Sequence, residues 1–289
     1  MKISRRKSTR PACFIAVVAY VVLAILMLPP NVVLAKEAPP AFSAERVQSA
    51  EIFQDLLLRQ QVVMHSRYYP LLRHIRQRLL RAPDVRRSME KYGYTFNYVI
   101  VHDPQPNSFA SPGGIIFVTD SLLGTLHNNA ELYGVLAHET SHVILSHGIR
   151  RQREANLLGA VTIAAMMFEK TETLKLATGL LGSYAFLNFD RQQELAADHE
   201  GTKLLSEIGV DPWGLSWALD TLRAKTGGLG FESYVSDHPS YRQRQAKIAS
   251  LIDHSATMKR ANPSEPRSSG LRTTYPGTTF LVMFPPGSN

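Results

Sequence analysis

The segment Val135–Val143 reads VLAHETSHV and carries two imidazoles and a carboxylate within five residues, His138, Glu139 and His142. On an α-helix, positions four apart are turned by about 400°, so His138 and His142 project from one face within about 40° of each other. Two imidazoles at that spacing can grip one cation. Glu139 is turned about 100° from His138, which leaves its carboxylate beside the open coordination position, where it can take a proton from water. The competing interpretation is a pair of histidines on a solvated helix face. Apolar flanks on both sides (Val135, Leu136, Ala137; Val143, Ile144, Leu145) argue for burial instead. Buried polar clusters need partners.

A catalytic zinc takes three protein ligands and leaves a fourth position open. One source of the third is a histidine that follows in the pattern HExxHxxGxxH. Here Leu145 stands at the glycine position and Gly148 at the histidine position, so that completion fails. His147 comes one residue early, and on an unbroken helix it points about 140° away from His142. The other source is a carboxylate on a second helix. Glu194 and Asp198 lie four apart in the run ELAAD and share a helix face. One can bind a metal while the other orients an imidazole. As an isolated acidic pair they would repel each other on a solvated face, and a cation removes that objection. Small Ala196 and Ala197 would let two helices approach closely.

Placing these residues requires a set of elements. Apolar residues at helical spacing predict a helix over residues 43–82, capped by Ser43, its pattern resuming at Tyr69 and stopping before Pro83. Thr95–Asp103 and Ile115–Asp120 are predicted strands, and Pro104–Gly114 between them has turn chemistry. Asn129 is placed as the cap of the helix bearing HETSH, and Gly148 as its stop. Further helices are predicted over Arg191–Gly209, Pro212–Lys225 and Ser240–Ile252. Residues 157–189 form two apolar runs, assigned as core helices, with peripheral membrane contact as the alternative. From Ala256 the chain is rich in Pro, Ser, Thr and Gly, and predicts an extended or disordered tail. Its apolar island, Thr279–Phe284, would either add a strand or occupy the groove as an inhibitor.

The chain of 289 residues is long enough for one full core or two small ones. Five of its eight net positive charges come from Lys2, Arg5, Arg6, Lys7 and Arg10, so no nucleic-acid partner is expected. The uncharged run Cys13–Leu28, the breaker Pro29-Pro30 and the small-residue end at Val33-Leu34-Ala35 read with those charges as a secretory signal over residues 1–35. The alternative is an uncleaved inner-membrane anchor. Cys13 is the sole cysteine, so the exported chain would have neither a disulfide nor thiol chemistry.

HETSH followed by Arg191-Gln192-Gln193-Glu194-Leu195-Ala196-Ala197-Asp198 resembles the zinc metallopeptidase family of the CAAX prenyl proteases, in its periplasmic BepA-like branch. Asn107–Val118 is similar to that family's NAFA-x-PGG-x-x-x-V segment, and Asp237-His238-Pro239 with Arg244 to its His-Pro…Arg motif. The resemblance covers residues 45–252, with the motifs in order, and no evident helical-repeat domain accompanies it. It implies an α+β, mainly helical, zincin-like fold with a small β-sheet beside the HExxH helix, and a peptidase domain over residues 36–255 followed by a tail over 256–289. It implies one zinc on His138, His142 and Glu194, with Glu139 as general base and acid. Asp198 would back a ligand histidine, and His238 would bind the metal transiently or steady the tetrahedral intermediate. A helix-entry turn is the plainer assignment for His238-Pro239. Arg191 and Arg244 would make structural or substrate-carboxylate pairs. The Pro-Gly-Gly segment would lead into an edge strand able to hold an extended peptide. The implied function is zinc-dependent endopeptidase activity on polypeptides, in quality control of misfolded envelope or outer-membrane proteins. A zinc-stabilised periplasmic chaperone or assembly factor is the rival class. Departures from the family pattern are the polar Thr140 and Ser141 inside the motif, and Gln245 after Arg244.

Overall fold

The computed structural model describes residues 44–150, 191–225, 241–255, 258 and 270–284. In chain order these hold α1 (Ala44–Leu58), α2 (Tyr69–Leu79), α3 (Pro83–Tyr92), β1 (Asn97–Val101), β2 (Ser108–Ala110), β3 (Ile115–Thr119), α4 (Asp120–Thr125), α5 (Asn129–Ile144), α6 (Arg191–Glu207), α7 (Gly214–Lys225) and α8 (Tyr241–His254). The fold is α+β and mainly helical, with one small sheet. No helix among the described residues is long and apolar enough to cross a membrane.

The sheet runs in the order β1-β3-β2, with β1 parallel and β2 antiparallel to β3. Its strands feed two cores by simple alternation. Tyr98, Ile100, Ile116 and Val118 join the large cluster built with α2, α5, α6, α7 and α8. Val99, Val101, Ile115 and Phe117 face Ile52, Phe53 and Leu56 of α1. Both faces are therefore covered, which is why β1 and β3 read as nearly continuous apolar runs. Between β2 and β3 the turn closes at Gly114, whose φ of +98° is open to glycine and strained for other residues.

Helix α5 runs through the middle of the molecule, and every residue from Asn129 to Val143 is buried. Asn128, one residue earlier than expected, caps it by accepting from the Glu131 amide at 3.0 Å. Glu131 reciprocates, accepting from the Asn128 side chain and from the His127 amide. This is a variant of the capping box in which Asn leads and the glutamate reaches the amide one residue before the cap.

Several expectations change. The helix expected over 43–82 is two helices, broken by Gln60 at φ +57°. The intervening residues pair with β1 instead: the Val63 amide donates to Ile100 O at 2.9 Å and the His102 amide to Gln61 O at 2.7 Å. A sheet edge that would otherwise lie bare is thereby satisfied. Pro83, taken as a stop, opens α3, because a proline at the first helical turn forfeits no hydrogen bond. The strand after Pro-Gly-Gly is the central strand of the sheet, not its edge. The outer strands are β1, which residues 61–63 cover, and β2, which lies inside the stretch assigned to turn chemistry.

Helix α5 stops before Gly148. Leu145 caps it, Ser146 takes φ +57°, and the chain resumes a helical course at residues 147–150. Residues 270–284 of the tail are extended and pinned. Phe280 bridges His65 in antiparallel fashion, the Ser66 amide donates to Thr279 O, and the Leu281 amide donates to Met64 O. Asn97 holds the Phe284 backbone through both its side-chain oxygen and its nitrogen. Of the two expectations for the island, this pairing fits the added strand. The expectations for residues 1–35, 157–189 and His238 lie outside the described residues.

Candidate metal centre

Two helices present the polar cluster. His138 and His142, one turn apart on α5, bring their Nε2 atoms to 3.0 Å. Glu194, on the first turn of α6, places Oε1 3.2 Å from His142 Nε2 and Oε2 3.5 Å from His138 Nε2. All three side chains are buried, and one ligand atom from each lies within 4.8 Å of the others. The helices meet closely because Gly201 of α6 passes His138: a Cβ on that glycine would sit 3.1 Å from the His138 nitrogen. Ala197 is buried at the same contact, whereas Ala196 faces outward.

Behind the first imidazole, His138 Nδ1 lies 3.0 Å from Asp198 Oδ1. Asp198 is clamped by Arg244 of α8, with Nε donating to Oδ2 at 2.8 Å and Nη2 to Oδ1 at 2.7 Å. The same guanidinium reaches Glu194 Oε2 through Nη1 at 3.1 Å. Arg244 is among the largest fully buried side chains. Gln245 accounts for its departure from the family pattern by locking α8 to α7: its Nε2 donates to Ser216 O at 2.8 Å, and its Oε1 accepts from the Ser216 hydroxyl. Arg191 is exposed at the start of α6.

Glu139 is fully buried, and its Oε1 accepts a 2.9 Å hydrogen bond from Ser108 Oγ on β2. The sheet edge and the carboxylate are thus joined directly. The polar residues inside the motif find separate partners. Ser141 Oγ donates back to Ala137 O at 2.7 Å, and Thr140 Oγ1 pairs with the buried Tyr98 hydroxyl at 3.2 Å. Burial pushes the Tyr98 pKa up.

The electrostatics favour a cation between the imidazoles. Burial and Arg244 both lower the His138 pKa, yet Glu194 and Asp198 outweigh them and lift it to about 9. Burial alone would raise the Asp198 pKa, but Arg244 and His138 hold it below the usual carboxylate range. Within the cluster, Glu139, Glu194 and Asp198 bury three carboxylates beside the guanidinium of Arg244. A divalent cation would balance that excess. The spacing fits as well. Nitrogen and oxygen donors about 2.0–2.1 Å from a tetrahedral zinc stand about 3.3 Å apart. The two imidazole nitrogens are 3.0 Å apart, and each lies 3.2 or 3.5 Å from one oxygen of the Glu194 carboxylate.

Two contacts escaped the sequence reasoning. Ser108 lies in the stretch expected to be a turn and in the segment similar to the family's NAFA motif, and neither reading nor any spacing rule links it to Glu139. His147 was set aside on the premise of an unbroken helix, but with the turn at Ser146 its Nδ1 comes to 3.0 Å from His142 Nδ1.

Comparison with known proteins is consistent with this geometry. The mitochondrial metalloendopeptidase OMA1 of Schizosaccharomyces pombe is 30% identical over 151 residues, covering 52% of this chain and 44% of that protein. Metalloprotease YcaL of Escherichia coli is 25% identical over 167 residues, covering 55% and 63%. The beta-barrel assembly-enhancing protease of Yersinia pestis is 29% identical over 153 residues, covering 50% and 30%. This chain therefore spans less than two thirds of the length of each of these relatives. The sequence profile of peptidase family M48 matches residues 72–252, a stretch running from α2 through both helices of the cluster to α8. With that match over more than half of its length, the chain belongs to peptidase family M48.

Proposed function

We propose that the chain is a zinc-dependent endopeptidase in which His138, His142 and Glu194 hold one zinc ion and Glu139 moves the proton. One observation carries the reading: a buried triangle of two imidazoles and a carboxylate stands beside a second buried carboxylate, which is held from an edge strand. When bound, zinc would supply a water of pKa about 7 and polarise the scissile carbonyl.

The chain's own residues supply the remaining parts. Glu139 takes the proton of the attacking water and delivers it to the nitrogen of the leaving amine. Ser108 fixes the direction of that carboxylate. Asp198 accepts the Nδ1 proton of His138 and so turns the Nε2 lone pair toward the centre, while Arg244 keeps Asp198 ionised and in place. Strand β2 offers backbone groups along which an extended polypeptide can lie. His238, from its His-Pro motif, is assigned to steady the tetrahedral intermediate. Residues 1–35 are assigned as an export signal, 36–255 as the peptidase domain and 256–289 as a tail. The basic and apolar opening supports a periplasmic location. The likeness to a beta-barrel assembly-enhancing protease supports misfolded envelope proteins as substrates.

The test uses the full chain, its Glu139→Gln and Glu194→Ala variants, metal analysis and a dye-labelled unfolded polypeptide. The parent should bind one zinc and cut the probe. Glu139→Gln should keep the zinc and lose activity by about 10²–10⁴-fold. Equal cleavage by parent and Glu139→Gln would remove the general base. Zinc retained by Glu194→Ala would remove the ligand assignment. Zinc binding with no cleavage by the parent would favour the chaperone reading.

A further inference from the structure

The two histidines of the centre are supported differently. His138 leans on a carboxylate, Asp198, at 3.0 Å. His142 leans on another imidazole, with its Nδ1 3.0 Å from His147 Nδ1 and the two rings edge to face at 5.0 Å. Both supporting contacts fall on the nitrogen opposite the Nε2 that faces the centre. His147 is buried.

This contact exists because the helix breaks. Leu145 N still reaches Ser141 O and Ser146 N reaches Val143 O, but Ser146 itself adopts φ +57°. The next helical turn opens there, with the Arg150 amide donating to Ser146 O. His147 is thereby swung back beside His142 in place of the opposing face that continuous winding would give it. The buried Tyr94 hydroxyl lies close to the Ser146 side chain at the bend.

We propose that His147 is a positioning residue for the metal centre: it accepts the Nδ1 proton of His142 and so fixes that imidazole in the one tautomer whose Nε2 lone pair points at the ion. The inference rests on the reading of His142 as a zinc ligand. The chemistry follows from counting protons. A ligand Nε2 carries none, so neutral His142 keeps its proton on Nδ1 and must donate it. The group it meets is His147 Nδ1, which accepts only when His147 carries its own proton on Nε2. His147 cannot be a third ligand in this arrangement, because it touches the far nitrogen of the His142 ring. Partners of this kind typically control metal affinity by about 10–100-fold.

The test compares His147→Leu, which removes the acceptor, with His147→Asn, whose Oδ1 stands where Nδ1 was. Zinc affinity is measured on the full chain by competition with a chromophoric chelator, and the metal-free fold by circular dichroism and Tm. The proposal expects His147→Leu to lose about 10–100-fold in zinc affinity and His147→Asn to recover most of it, with both metal-free proteins folded. Parent-like affinity in His147→Leu would overturn it. So would equal losses in the two variants, since a packing role makes no distinction between acceptor and methyl groups. His142→Ala separates the two levels of inference: if that variant keeps the parent's affinity, the ligand reading itself fails, and the role of His147 fails with it.

Discussion

Ser108 and Glu139 share a buried hydrogen bond of 2.9 Å, and it ties the candidate base to the strand along which a substrate would lie. The family segment similar to residues 107–118 carries alanine where this chain has Ser108, so the hydroxyl is an addition on the pattern. A donor aimed at a carboxylate restrains its rotamer and favours the ionised form. Ser108→Ala should lower kcat by about tenfold with KM nearly unchanged, because the lost interaction matters once the carboxylate moves a proton. Zinc content should not change. Steady-state kinetics on a peptide substrate check this, and an unchanged kcat would show that other groups hold Glu139.

At the scale of elements, the cluster depends on how closely α5 is approached by its neighbours. Gly201 admits α6 beside His138, and Gly134 admits α7 one turn earlier: a Cβ there would fall 2.3 Å from the Leu215 nitrogen. The obstacle is backbone, which cannot swing aside as a side-chain tip can. Gly134→Ala should therefore cost at least about 1–3 kcal/mol, read as a fall in Tm. Gly124 in α4 is the internal contrast, since nothing lies within 4 Å of its added Cβ. Gly124→Ala should leave Tm unchanged or raise it, by up to about 1 kcal/mol of stability, because alanine favours the helix. A fall of equal size in both variants would show that helix propensity and not the crossing sets the cost.

For the whole molecule, the final described segment behaves as a strap. Residues 270–284 run past the start of α5, where Arg272 N meets Asn129 Oδ1 at 2.9 Å, to the edge residues 64–66 and on to Asn97. Leu281 packs against both cores, and the Arg76 guanidinium stacks over the Phe284 ring at 3.9 Å. Truncation after residue 269 should lower stability by about 1–2 kcal/mol for each of these two partly buried side chains, measured by denaturant unfolding. Activity per folded molecule should stay the same, since the strap closes a sheet edge. A rise in activity would instead identify the tail as an inhibitor of the groove.

The grouping of the candidate site residues on two helices was legible in the sequence because each half is local, while the joining of the halves came from the family resemblance. His138, Glu139 and His142 occupy one helix, Glu194 and Asp198 share a face of another, and helical geometry fixes what such neighbours can do. Helices α6, α7 and α8 were legible for the same reason, since their apolar periodicity and stop signals are short-range. The tertiary structure decided everything that depends on where the chain leaves a regular path. A left-handed Gln60 turns a helical pattern into an edge partner for β1, and a left-handed Ser146 returns His147 to His142. The short strand β2 exists only because β3 is there to pair with it, so neither the true edge of the sheet nor the reach of Ser108 to Glu139 could be inferred from spacing. Periodicity reports the contacts a residue makes with its own turn of helix or its own strand. Breaks, edges and helix crossings are set by distant partners, and only the folded chain brings those partners together.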